Sequence, residues 1–305
     1  MNPTLASDPE RVLGRLEWTV IRRLDGLLQG DYRTFFQGLG LDFADLRAYQ
    51  YGDDVRTMDW NATARLREPH VRRFHEDRDL DAWFLVDTSA SLDFGSANRL
   101  KREVVVELVG TLAQLLCRHG NRIGACLYDG TLARLFPAVA GRKGVLSILS
   151  ALGASSSRGP SAETNLSVLL EPMAGVLRRR SLIFFVSDFY SLPGWEGPLG
   201  ILARRHEVLT VRIHDASETE LPDLGPLWLE DAETGGQLWI DTHDVHFRRR
   251  LALAAGERDA QLSAAFRRAQ VDALELSTDE DLARALLGWS ARRRYRKSRP
   301  GGHAP

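Results

Sequence analysis

From residue 81 onward, short apolar runs alternate with segments of helical periodicity, and this alternation restricts the fold more than any other feature of the chain. Trp83-Phe84-Leu85-Val86 reads as a buried strand over 82–87. Val105, Leu108, Leu112 and Leu115 recur at helical spacing and predict a helix near 99–118. Arg122 to Tyr128 reads as a strand, Asp129-Gly130 as a hairpin turn, and Thr131 to Phe136 as the returning strand. Helices are predicted near 141–152 and 165–179, a strand at 181–186, a helix near 195–205 and a strand at 207–213. Gln237 to Asp241 reads as a short strand, 243–271 as a long helix, Ala273 to Leu276 as a last strand and 279–290 as a terminal helix. Strands separated by helices imply βαβ units and right-handed crossovers. The expected fold is therefore α/β: a doubly wound, mainly parallel sheet carrying one antiparallel strand.

Two segments precede the sheet. Residues 8–28 carry an Asp8-Pro9 start signal, then Val12, Leu13, Leu16, Val20, Ile21, Leu24 and Leu27 at helical spacing, with Gly30 after them. Residues 31–80 are charged, with scattered aromatics and little periodicity. The expected organisation is a helix and an irregular Arg/Asp-rich segment over 1–80, a sheet domain over 81–290 and a basic disordered tail over 291–305.

The first strand runs directly into Asp87-Thr88-Ser89-Ala90-Ser91. In an open α/β sheet, ligands bind at the carboxyl ends of strands. A carboxylate followed by hydroxyls at alternating positions can converge on one point and offers hard oxygen ligands, which suit Mg²⁺, Mn²⁺ or Ca²⁺. The strand Ser181–Val186 ends in Ser187-Asp188, which places Asp188 like Asp87. Between them, Glu163-Thr164-Asn165-Leu166 leads into a helix, so Thr164 either caps that helix or points at a metal. Asp87, Ser89, Ser91, Thr164 and Asp188 form one candidate metal constellation. The structural alternative is a set of ordinary turns, because Ser and Asp bond their own backbone. An EF-hand is excluded: counting from Asp87, positions six and twelve are Leu92 and Asn98, where that loop needs Gly and Glu.

This order, a strand-end DxSxS, then a loop Thr, then a strand-end Asp, resembles the metal-ion-dependent adhesion site of von Willebrand factor A domains. A second cluster lies upstream. Phe43, Arg47, Tyr49, Gly52, Asp53, Asp54, Arg56, Asp59, Trp60, Ala64 and Arg65 follow the pattern F-x-x-x-R-x-Y-x-x-G-D-D-x-R-x-x-D-W-x-x-x-A-R. That pattern resembles the signature of an uncharacterised bacterial family of von Willebrand A-like proteins, and the likeness covers roughly residues 35 to 215. The resemblance implies a von Willebrand A-like fold and a site in which Ser89 and Ser91 ligate directly. Asp87, Asp188 and Thr164 would ligate directly or through water, and a carboxylate from a protein partner would complete the sphere. It also implies association with MoxR-type AAA+ ATPases as an accessory or adaptor protein. Arg47, Asp53, Asp54, Arg56, Asp59 and Arg65 are candidate partner-binding residues; alternatively they form an internal ion-pair collar on the sheet.

Composition narrows the partners. Apolar content of 44%, charged content of 27% and a net charge of -1 are those of an ordinary globular chain, with no global pull toward nucleic acid or an anionic membrane. Arg292, Arg293, Arg294, Arg296, Lys297 and Arg299 form a basic tail, read as solvated rather than as a nucleic-acid module. Cys117 and Cys126 lie in apolar segments and read as free thiols of a reducing compartment. No window approaches a transmembrane span and no signal peptide is evident, so the expected location is the cytoplasm.

The expected function is metal-ion-dependent protein binding beside an AAA+ ATPase, not catalysis. The rival reading is a metal-assisted hydrolase on the same site, with Asp93 or Glu163 as base. His243 and His246 read as surface residues and Ser155-Ser156-Ser157 as a loop. No Walker loop, nucleophile elbow, H-E-x-x-H or zinc spacing is present.

Overall fold

The computed structural model describes residues 9–16, 20–24, 46–50, 58, 63, 68–72, 81–96, 99–131, 133–154 and 163–297. A helix α1 (Pro9–Leu16) comes first, followed by helical residues 20–24. A small antiparallel pair follows, β1 (Leu46–Ala48) and β2 (His70–Arg72). The sheet domain then runs β3 (Asp81–Asp87), α2 (Lys101–Arg118), β4 (Arg122–Tyr128), β5 (Ala133–Val139) and α3 (Arg142–Ala154). It continues α4 (Leu166–Leu170), α5 (Met173–Val176), β6 (Leu182–Ser187), α6 (Glu196–Arg205) and β7 (Glu207–His214). A hairpin of β8 (Pro226–Glu230) and β9 (Gln237–Asp241) precedes α7 (Val245–Ala269), β10 (Asp272–Ser277) and α8 (Leu282–Lys297).

Six strands form one sheet in the order β10-β7-β6-β3-β4-β5. All neighbours are parallel except β4 and β5, which are joined by the Asp129-Gly130 turn and pair antiparallel. This is the expected doubly wound, mainly parallel arrangement, with its one antiparallel strand at an edge.

The alternation of side chains along each central strand explains why both faces are covered. In β3 and β6, Phe84, Val86, Phe184 and Val186 face a core shared with α1, α2, α3 and α8. Trp83, Leu85, Ile183 and Phe185 face a second core shared with α4, α5, α6 and α7. Phe84 and Phe184 are register partners and stack with ring centroids 4.9 Å apart. Each such buried side chain contributes about 1.5–3 kcal/mol by leaving water. Gly124 on β4 is required by the same packing: a Cβ there would meet the Trp83 ring at 2.8 Å. Leu13, Leu16, Val20, Ile21 and Leu24 are buried in the first core, so the N-terminal helical residues are part of the domain.

From β3 onward, the structure departs from the sequence expectations in three places. The helix predicted over 165–179 is two short helices, because Pro172 has no N–H to continue the first and instead opens the second. A strand at Pro226–Glu230 completes a hairpin of which only the second arm was expected. The basic segment expected to be disordered from 291 is helical through Lys297. Arg293 is only 3% exposed and pairs with both Glu207 and Asp272, which fastens α8 to the sheet edge. Residues 298–305 lie outside the described residues.

Candidate metal site at the sheet switch point

From β3 the chain crosses to one side of the sheet, and from β6 to the other. The crevice between these two strand ends is the topological switch point, where open α/β sheets bind ligands. Val86 and Val186 are register partners, so Asp87 and the pair Ser187-Asp188 leave the sheet side by side. Both carboxylates are essentially inaccessible, Asp87 at 0% and Asp188 at 1% exposure.

The turn after β3 is shaped by its own polar groups. Asp87 Oδ1 accepts from Ser89 N at 2.9 Å, and Asp87 Oδ2 accepts from Ser187 Oγ at 2.7 Å. A 3-10 turn at Ala90–Asp93 then brings Ser91 Oγ to 3.2 Å from Ser89 Oγ. Thr88 turns away, its N–H and hydroxyl both donating to Tyr128 O. The loop closes tightly on itself: a Cβ on Gly95 would meet Arg99 O at 2.4 Å, and Lys101 N donates to Phe94 O at 2.9 Å. That closure delivers Lys101 to the site.

Lys101 Nζ donates to Asp188 Oδ2 at 2.6 Å and to Glu218 Oε1 at 2.7 Å. Burial opposes the ammonium charge, but the two carboxylates more than offset it and hold its pKa above the ordinary value. Among the described residues, Asp87 has no such partner. Burial and then the like charge of Asp188 push its carboxyl up to about 7, against the hydrogen bonds from Ser187 and Ser89. After Asp188, Phe189 adopts a left-handed backbone with φ 60. Its ring is held by edge contacts to Phe185 and Phe266, and its carbonyl accepts from Arg258 Nη2 at 2.8 Å. A non-glycine residue in that conformation costs on the order of 1 kcal/mol, so the packing around Phe189 fixes the direction in which Asp188 leaves the strand.

Thr164 is buried at 1% exposure, but it is not the helix cap. Asn165 takes that role, its Oδ1 accepting from Ser167 N at 3.0 Å. Thr164 Oγ1 and N both donate to Glu233 Oε2, at 2.7 and 2.9 Å. Thr164 O accepts from Leu192 N, which ties this loop to the one that follows Asp188. The structure thus brings Asp87, Ser89, Ser91 and Asp188 together, with Thr164 at the flank turned toward Glu233. A cleft of about 760 Å³ opens on that flank, bounded by Thr164, Tyr190, Glu233, Arg258 and Gln261.

Arg47 lies on β1, and Asp53, Asp54, Arg56, Asp59 and Arg65 fall outside the described residues. Asp93 is engaged by Arg102, while Glu163 is exposed at the cleft. His243 and His246 are exposed. Sequence reasoning missed Lys101, Glu218 and Glu233. Lys101 carried one readable hint: a lysine in the first turn of a helix opposes the helix dipole and needs an anion nearby.

The donor set is two carboxylates and three hydroxyls from three chain segments. Among the described residues, no group of three or more His, Cys, Asp or Glu side chains is placed to hold a metal. Carboxylate and hydroxyl oxygens are the donors that suit a hard divalent cation, where zinc is held by His and Cys. Lys101 is ion-paired with Asp188 and Glu218, Glu233 Oε2 is taken by Thr164, and Glu233 Oε1 is buried without a hydrogen-bond partner among the described residues.

Residues 45–261 match the family described as a protein of unknown function, DUF58. An uncharacterised protein of Mycobacterium tuberculosis is 36% identical over 293 residues, covering 96% of this chain and 91% of its own. An uncharacterised protein of Mycobacterium avium is 32% identical over 145 residues, covering 48% of this chain and 85% of its own. Among solved structures, the conserved hypothetical protein BatB from Bacteroides thetaiotaomicron aligns with a TM-score of 0.44 and 11% identity, over 71% of this chain and 99% of that one. An aerotolerance-related membrane protein from Bacteroides fragilis aligns with a TM-score of 0.44 and 12% identity, over 71% and 99%.

Proposed function

The chain belongs to the DUF58 family, and from that premise we propose that it is a metal-ion-dependent protein-binding adaptor. The observation that carries this reading is the pair of buried carboxylates, Asp87 and Asp188, at neighbouring strand ends beside two serine hydroxyls. Asp87, Ser89, Ser91, Asp188 and, on the flank, Thr164 would hold Mg²⁺ (or Mn²⁺ or Ca²⁺). The bound ion would supply a Lewis-acidic bridge to an acidic side chain of a partner.

The chain's own groups prepare that role. Asp87 is oriented by Ser187 Oγ and Ser89 N, so its two oxygens are placed before any ligand arrives. Lys101 neutralises part of the charge of Asp188, which leaves Asp188 a weaker competitor for the ion than Asp87. The small imbalance between them makes partner affinity sensitive to shifts of Asp188, and Phe189 restrains those shifts. Resemblance to von Willebrand A-like proteins that accompany MoxR-type AAA+ ATPases supports such an ATPase as the partner, in assembly or maturation of a protein complex. On a hydrolase reading, Asp93 would serve as base only by giving up Arg102.

The test is association of purified chain and ATPase in Mg²⁺ and in EDTA, with the Asp87→Ala variant alongside. The expected result is association of the wild type in Mg²⁺ alone and none by the variant. Equal association of all samples in EDTA overturns the reading.

A further inference from the structure

The hairpin between β7 and α7 has little to do with the core. Among the described residues, its two strands form a separate two-stranded sheet, and Trp228, Leu238 and Trp239 are more than half exposed. At its base, Thr242 Oγ1 donates to Gly225 O and accepts from Leu224 N, both at 2.8 Å. Its tip is stiff. Asp231 accepts from Glu233 N at 2.9 Å and from Thr234 Oγ1 at 2.8 Å, while Asp231 O and N bond Gly235 N and Gly236 O. Gly235 supplies the positive φ of 69 that the turn needs.

This stiff tip carries Glu233 into the sheet domain. The side chain leaves an otherwise exposed turn and is 91% buried, with 9% remaining exposed. Oε2 takes both donors of Thr164, and Oε1 ends in a buried position with no partner among the described residues. An unpaired buried carboxylate oxygen costs more than the roughly 1–3 kcal/mol of an unpaired neutral group, so its placement calls for a charge to meet. Thr164, the flanking member of the candidate constellation, gives both its donors to Glu233, which puts Glu233 next to that constellation.

We infer that Glu233 is a built-in carboxylate occupant of the metal site, so that the hairpin plugs the position an acidic partner must take. The inference rests on the metal-site reading above and adds its regulation. In the resting protein, Oε1 faces the cation and Oε2 is steadied by Thr164. An incoming partner carboxylate exchanges for Glu233, and the hairpin swings out on its base at Gly225 and Thr242. The site is thereby closed to weak acids and opened by a partner that also holds the displaced hairpin.

The experiment uses Mn²⁺ alone as probe, with full-length wild type, Asp87→Ala and Glu233→Gln, read by calorimetric titration and by amide hydrogen exchange over residues 226–241. Glutamine keeps an acceptor for Thr164 and removes the charge, so a purely structural role of Glu233 survives it. Expected is Mn²⁺ binding by wild type with increased protection of 226–241. Binding should be lost in Asp87→Ala, and weakened about tenfold or more in Glu233→Gln without the added protection. Unchanged affinity and unchanged protection in Glu233→Gln, with binding still lost in Asp87→Ala, overturn the plug and leave the metal site standing. Absence of Mn²⁺ binding by wild type overturns both.

Discussion

Lys101 Nζ lies 2.6 Å from Asp188 Oδ2 with both side chains at 1% exposure or less. A cation is thus already part of the candidate site, covalently attached to the helix that follows the first serine turn. It links β6, α2 and the 3-10 turn at Ala216–Glu218 through a second contact to Glu218. Removing one partner of such a pair strands the other charge in the interior. Lys101→Met is therefore expected to lower stability by about 3–5 kcal/mol in chelator, measured by urea denaturation. Added Mg²⁺ should restore part of that loss if the ion binds beside Asp188.

Asp87 makes stability fall with pH. Its folded pKa of about 7 lies above the ordinary 3.8, so between these values the native state holds a proton that the unfolded chain releases. Stability from this group is fully present below about pH 4 and is lost as pH rises through about 7. Denaturation of metal-free protein across that window should show the decline, up to a few kcal/mol. Asp87→Asn should flatten it.

Gly124→Ala tests the packing of the sheet face. The new methyl would sit 2.8 Å from three atoms of the Trp83 ring, in the middle of a parallel ladder that cannot move aside. A loss of about 1–3 kcal/mol is expected, read as a lowered Tm by calorimetry.

Much of this architecture was legible from the amino-acid order, because the strands of the large sheet are buried and therefore read as apolar runs. Asp87, Ser89, Ser91 and Asp188 were legible as well, since a polar residue ending such a run has one place to go. The rest depended on contacts that no local pattern encodes. Lys101 and Asp188 are 87 residues apart, and Thr164 and Glu233 are 69 apart. The strand Pro226–Glu230 begins with proline and buries no full face, so its pattern resembles a loop. The run of arginines near the end suggested a solvated tail by composition, while burial of a single one, Arg293, decides where the helix lies.

Arg293→Ala tests that last point. Glu207 and Asp272 remain partly exposed and can recover water, so the cost is that of lost charge-assisted hydrogen bonds, about 1–3 kcal/mol. The loss should appear as faster proteolysis after residue 282 and a lower urea midpoint. Arg292→Ala, on the exposed side of the same helix, should leave both nearly unchanged.

The register pair Val86 and Val186 has a consequence for how such a protein can be tuned over evolution and in use. The spacing of Asp87 from Ser187, the residue before Asp188, is inherited from the backbone spacing of a parallel ladder, a distance that no side-chain substitution alters. Half of the site is thus a fixed jaw. Everything adjustable sits on the other jaw: the loop at Thr164, the bend at Phe189 and the hairpin bearing Glu233. Sequence drift that retunes affinity should accumulate in those three segments and spare the strand ends.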